Sequence, residues 1–164
     1  MSANHIITSL EQLLALHEEL FAMAKRKTDI IKAGNVDELR TMTNEERKFT
    51  KTINETQKAL LSYSRLFLLK NALSKETPSL RDCLPFFKQQ EKERVTNLQA
   101  RLVEQVTEIQ QQNDLNQQLL EQSLAFVNMS LDLLKPDHDS YNYERPNHQQ
   151  PQTQLGRSLF DSNA

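Results

Sequence analysis

The chain has two glycines in 164 residues, where ordinary usage is about 7%. With so few residues free to take tight left-handed turns, it can reverse direction in few places and must spend its length in a small number of long helices. Hydrophobic spacing says where they lie. Ile6, Leu10, Leu13, Leu14, Leu20, Phe21, Ala24 and Ile31 recur mostly three or four apart, with Glu, Lys and Arg between them. That pattern predicts an amphipathic helix over residues 4–32, about 45 Å long. Ala33-Gly34-Asn35 ends it, because Gly34 can take the left-handed closing conformation and Asn35 can cap the next helix, with Glu38 three places on for a capping box. Val36, Leu39, Met42, Phe49, Ile53, Leu60 and Phe67 mark a second helix over 36–73, whose polar, Thr-rich middle KFTKTINETQKA is expected to pack less securely.

Two amphipathic helices joined by so short a turn must lie antiparallel, since neither stripe can be buried alone. Pro78 and Pro85 in KETPSLRDCLPFF break any long helix and leave room for a short helical turn near 79–85 that Ser79 could cap. A third helix is expected over 88–135, stopping before Pro136 and spanning about 70 Å. The expected architecture is therefore all-α: an antiparallel helical hairpin plus a long third helix, an elongated three-helix bundle or coiled coil. It would form a single helical domain over 1–135, and the polar, Pro-containing tail over 136–164 would be flexible and disordered.

Charge and composition narrow the function classes. The 20 Lys and Arg residues stand against 22 Asp and Glu, a formal net charge of -2, and no basic or aromatic-interleaved patch offers nucleic acid a footprint. The lone Cys83 excludes a disulfide framework and reads as a small buried hydrophobe beside Leu84 and Phe86. The N-terminus lacks a positively charged leader region and reads as mature sequence, and no apolar run reaches membrane-spanning length. His5, His17, His138 and His148 are too scattered to hold a metal, and two glycines cannot build a phosphate loop. Carboxylate pairs such as Glu18/Glu19, Glu45/Glu46 and Glu104/Glu108 sit on expected solvent faces without the Glu-x-x-His pairs of di-iron bundles. Lys25-Arg26-Lys27 reads as solvated surface. Nothing suggests an enzyme, a metal or a cofactor.

The third helix carries the functional signal. On a wheel at 100° per residue with Leu115 at zero, Leu120, Leu124, Val127, Leu131 and Leu134 fall between about 100° and 180°. Val95, Leu98, Leu102, Val106 and Ile109 project into the same sector, so one stripe runs almost the whole helix as its natural seam, interrupted at Asn113 and Asn116. A second stripe, Leu115, Leu119, Phe126, Met129 and Leu133, lies between about -40° and +40° and has almost no counterpart upstream. Asn116, Ser123 and Ser130 sit between the stripes, and Asp114, Gln118, Glu121, Asn128 and Asp132 take the remaining face. The apolar arc of about 220° exceeds what one core contact requires. Either intramolecular packing absorbs the extra stripe, or it meets a partner, or it closes a dimer. The surrounding Gln and Asn residues supply adaptable hydrogen bonds without the desolvation cost of charge, which suits recognition of another chain's amphipathic helix.

Four segments add a family signal. They are Lys32-Ala-Gly-Asn-Val-Asp-Glu-Leu39, Asn113-Asp-Leu-Asn-Gln-Gln-Leu-Leu120 with Ser123-Leu-Ala-Phe-Val127, Tyr141-Asn-Tyr143, and Ser158-Leu-Phe-Asp-Ser162 within the terminal SLFDSNA. In this order and chain length they resemble the flagellar export chaperones of the FlgN family, in the form seen in Gram-positive bacilli. The resemblance implies a cytoplasmic, non-enzymatic chaperone that uses no cofactor. It would bind the C-terminal helices of the two hook-filament junction proteins (the hook-associated proteins FlgK and FlgL), keep them monomeric and deliver them to the flagellar type III export apparatus. Components of the export gate or its ATPase complex would be further partners; nucleic acid and direct membrane insertion would not be involved.

The family's client site lies in the C-terminal part of the last long helix. In this sequence that implies Leu115, Leu119, Leu120, Ser123, Leu124, Phe126, Val127, Met129, Leu131 and Leu133. A tyrosine near the C-terminus is implied in docking to the export gate, and Tyr141 and Tyr143 compete for that role. The long Gln/Asn-rich tail departs from enterobacterial members. The alternative is a homo-oligomeric helical structural or adaptor protein, dimeric without any client, whose second stripe closes the dimer.

Overall fold

The computed structural model describes residues 3–135, and those residues are all-α. Two long helices, α1 (Ala3–Ala33) and α2 (Val36–Lys70), form the antiparallel hairpin. Lys27 meets Glu46 at 2.8 Å near the turn, and the rings of His5 and Tyr63 lie 5.1 Å apart at the other end. The Lys27–Glu46 pair is mostly buried, so this lysine belongs to the helix interface rather than to a solvated basic run.

Both ends of the hairpin helices close by the same device. At the end of α1, Gly34 N–H donates to Ile31 and Asn35 N–H to Ile30, with Gly34 at φ 69°. These two bonds satisfy carbonyls that the helix leaves open, and they require a left-handed residue between them. Asn35 then caps α2 by accepting from the Glu38 N–H, while Glu38 accepts from the Asn35 side chain. At the end of α2, Ala72 N–H donates to Leu69 and Leu73 N–H to Leu68, with Ala72 at φ 59°. The second helix therefore stops at Lys70 instead of running to Leu73, because the alanine has turned left-handed where no glycine advertised it.

A short helix, α3 (Leu80–Cys83), and a 3-10 turn (Leu84–Phe86) fill the connection. Ser79 and Asp82 form a reciprocal capping box. Lys75, 2.8 Å from the Asp82 carboxylate, and the Ser79 hydrogen bonds hold that carboxyl far below the ordinary range. The last helix, α4 (Gln89–Leu134), opens with the Lys88 N–H donating to Glu91. It lies along α1 in the same direction, because Arg94 pairs with Glu11, Arg101 with Glu18 at 3.0 Å, and Asn116 bonds to Ala24. The topology is up, down, up.

The core gathers at the end where α1 begins. Ile6, Leu10 and Leu14 of α1, Leu68 of α2, Cys83, Phe87, and Val95 and Leu98 of α4 are buried together, and Phe67 stacks on Phe87 at 4.9 Å. Burial pushes the Cys83 thiol above its ordinary pKa, as expected for a thiol acting as a small hydrophobe. Nearer the turn Met23, Ala24, Thr28 and Ile31 of α1 and Met42 of α2 are also buried. The Thr-rich stretch of α2 contributes Ile53 to the interior, while Thr50, Thr52 and Thr56 turn their hydroxyls back to carbonyls four residues earlier.

Residues 3–127 belong to one packed unit; Asn128–Leu134, the last two turns of α4, belong to a second.

Candidate functional site

What positions the second half of α4 is the row of side chains it shares with α1. The buried positions Val95, Leu98, Ile109 and Asn116, with the partly buried Leu102, Gln105, Gln112 and Leu119 between and after them, advance in alternating steps of three and four. This is a heptad row, and α1 answers it with Leu10, Leu14, Ala24, Thr28 and Ile31, also buried. A seven-residue repeat drifts about 20° per heptad on a straight-helix wheel, so three heptads separate Val95 from Asn116 by about 60° of apparent angle. The sequence reading takes Asn116 as an interruption at the edge of the seam, and the structure buries it there as part of the row. Asn116 lies on the seam itself, and Leu119, Phe126 and Leu133, set apart as a second stripe, are the heptad continuation of Leu98.

Asn116 is the last fully buried position of α4 and the best-satisfied polar side chain there. Its Nδ2 donates to the Ala24 carbonyl at 2.9 Å, its Oδ1 accepts from the Thr28 hydroxyl at 2.5 Å, and Gln112 donates to that hydroxyl at 2.6 Å. A buried amide so bonded fits one register of α4 against α1, since a slip of one turn would strand three polar groups. Four residues before Ile109 the same row has a flaw: Gln105 Nε2 is buried without a hydrogen-bond partner among the described residues.

Beyond Asn116 the hairpin runs out. The end of α1, the turn and the start of α2 offer Ile30, Ile31, Val36 and Leu39 to Leu120, Ser123, Leu124 and Val127, and the space between them is an apolar groove of about 320 Å³. Leu119 and Leu120 are half-buried. From there the apolar side chains open to solvent: Leu124 is 62% exposed, Phe126 65%, Val127 50%, Met129 56%, Leu131 53% and Leu133 80%. Leu115 is also exposed, and the Ser123 hydroxyl donates to the Leu119 carbonyl. So the wheel's first stripe, read as seam throughout, is exposed from Leu124 onward just as the second is. Within the unit that ends at Val127 the cause is length, since α1 stops at Ala33 while α4 continues.

The charges of this half are one-sided. Between Asn113 and Leu134 every ionised side chain is acidic, namely Asp114, Glu121 and Asp132. The carboxylates elsewhere that might suggest chemistry are engaged structurally: Glu11 and Glu18 bridge to α4, Glu46 to Lys27. His17 hydrogen-bonds the Leu13 carbonyl one turn earlier. Among the described residues no group of His, Cys, Asp and Glu is placed to hold a metal ion, and no helix is long and apolar enough to cross a membrane. Tyr141, Tyr143, His138, His148 and the terminal SLFDSNA lie outside the described residues.

A family model described as FlgN protein matches residues 1–150. Among curated proteins, the uncharacterized protein YvyG of Bacillus subtilis (strain 168) is 29% identical over 164 residues, spanning all of both chains. No solved structure matches significantly.

Proposed function

Because the chain belongs to the FlgN family of flagellar export chaperones, whose members are not catalysts, we propose that its clients are the C-terminal helices of the hook-filament junction proteins, held by the second half of α4. Leu115, Leu119, Leu120, Ser123, Leu124, Phe126, Val127, Met129, Leu131 and Leu133 are the proposed contact residues. The observation that carries this reading is the heptad row that continues after the hairpin has ended, with apolar side chains exposed from Leu124 to Leu133. A surface of this kind marks an interaction site, because left in water it invites association.

The mechanism needs no bond chemistry. A junction protein's terminal helices are apolar on one face because they pair inside the assembled filament, and in the cytoplasm that face would self-associate. The end of α4 supplies a temporary helical partner. Each large side chain fully buried contributes about 1.5–3 kcal/mol, against which stand the lost freedom of two bodies and the ordering of the client. A net affinity of about -8 to -12 kcal/mol, micromolar to nanomolar, is strong enough to protect and weak enough to be stripped at the export gate. Delivery to the type III apparatus, with Tyr141 or Tyr143 as the gate contact, completes the proposal.

The test is the triple substitution Leu119→Ser, Phe126→Ser and Met129→Ser. Circular dichroism should stay helical while the variant no longer captures client C-terminal segments in size-exclusion with light scattering. Global unfolding of the variant would defeat the surface reading. A tight wild-type dimer whose mass does not change when client segments are added would defeat the chaperone reading in favour of a homo-oligomeric one.

A further inference from the structure

We propose that the groove between the α1–α2 turn and α4 is a docking seat for an amphipathic helix carrying Lys or Arg along its flanks, so that Val36 and Leu39 at the start of α2 bind client together with Leu120, Leu124 and Val127. The inference rests on the client reading above and extends it from one helix to a seat made by three elements. Val36 is 67% exposed at the first position of α2, where an apolar residue does nothing for the helix start. Its place beside Leu124 and Val127 makes the groove continuous with the exposed row of α4.

The lining decides what kind of occupant fits. The groove's volume of about 320 Å³ is at the small end of the range for small-molecule sites, which also place a few polar groups to orient the ligand. Here the polar groups are already used. Ser123 donates to its own helix, the Asn35 side chain is bonded to Glu38, and the Gly34 and Asn35 amides are bonded to α1. Surrounded by helical backbone, the groove also has no strand edge to which an extended peptide could add. An occupant must therefore satisfy its own backbone and bring an apolar stripe, which is a helix.

Charge decides which helix. Asp37 and Glu38 stand in the first turn of α2 and Glu121 on α4, all exposed, while Lys32 and Arg40 are the basic residues of the same hairpin segment. With Asp114 and Glu121 and no basic residue from Asn113 to Val127, a second copy of this chain would bring like charges to this face. A helix with basic flanks brings opposite ones, and the pairing fixes orientation and speeds encounter more than it adds affinity.

Fluorescence anisotropy with dye-labelled C-terminal segments of the two hook-filament junction proteins from the same bacterium tests this. Val36→Arg, which blocks the seat and reverses its charge preference, should weaken binding about tenfold or more with an unchanged melting curve. Glu121→Lys should weaken it about threefold at low salt, the loss vanishing at 0.5 M salt where such pairs are screened. If Val36→Arg binds like wild type while the α4 triple variant does not bind, the seat is overturned and the α4 reading stands. If Val36→Arg weakens binding but neither Glu121→Lys nor salt changes it, the basic-flank assignment is overturned. If wild type captures neither segment, both fall. If Val36→Arg breaks a wild-type dimer and leaves client affinity unmoved, the occupant is a second copy and the proposal is wrong.

Discussion

The two halves of α4 follow one heptad rule under different circumstances. From Val95 to Asn116 the row meets α1, and its positions are buried or half-buried, ending on an amide hydrogen-bonded to both Ala24 and Thr28. From Leu119 onward the spacing continues, but α1 ends at Ala33 and the row passes into solvent. The same residue types therefore do different work: Leu98 in the first half is buried and holds the fold, and Leu124 in the second half stands in solvent. The lesson is that a sequence pattern states what a helix face is ready to bury, while the length of its neighbours decides whether the fold buries it.

The sharpest way to break this contrast is to truncate one leucine from each half. Leu98→Ala should cost about 2–5 kcal/mol in urea unfolding, as for other buried leucines, whereas Leu124→Ala should stay within about 0.5 kcal/mol. Equal costs would mean that the second half is core. The boundary between the halves comes next. Asn116→Ala removes the two bonds between α4 and α1 made by its amide, although the Thr28 hydroxyl keeps its contacts with the Ala24 carbonyl and Gln112, and should cost about 1–2 kcal/mol, while Asn116→Leu combined with Thr28→Val and Gln112→Leu should cost less, because all the side-chain partners are removed together.

Smaller effects refine the account of the packed half. Gln105→Met removes the orphaned buried donor and keeps the volume, so it should raise stability by about 1 kcal/mol, read as a shift in urea midpoint at constant slope. Ala72→Gly relieves a left-handed alanine at the end of α2 and should raise stability by up to about 1 kcal/mol, after the greater freedom of glycine in the unfolded chain is subtracted. The same change tests the parallel with Gly34, which already occupies that conformation at the end of α1.

Much of the fold was legible because its signals are local. The scarcity of glycine, the Gly34–Asn35 turn with its Glu38 box, and the prolines around α3 each announce a boundary by residue type. The end of α2 was not legible, since Ala72 carries no mark of the left-handed turn it makes. In the candidate site, the apolar excess after Leu115 was plain, but its geometry was misread. Counting at 3.6 residues per turn put Asn116 on the edge of the seam and read it as an interruption, whereas a count in sevens from Val95 through Leu102 and Ile109 meets it as a seam position. The depth of the hairpin beside α4 is a tertiary fact that no pattern within α4 records, so the exposure of Leu124 and Val127 had to come from the structure.

Amide hydrogen exchange along α4, with and without a client's C-terminal segment, reads the two halves of the helix separately. In the free protein, amides from Val95 to Ile109 should exchange slowly and those from Leu119 to Leu134 faster, since few buried contacts restrain local opening there. Client should slow exchange across the second half and leave the first unchanged. Protection appearing in the first half, or uniform slow exchange along the whole helix before any client is added, would mean that the second half is not an open client surface.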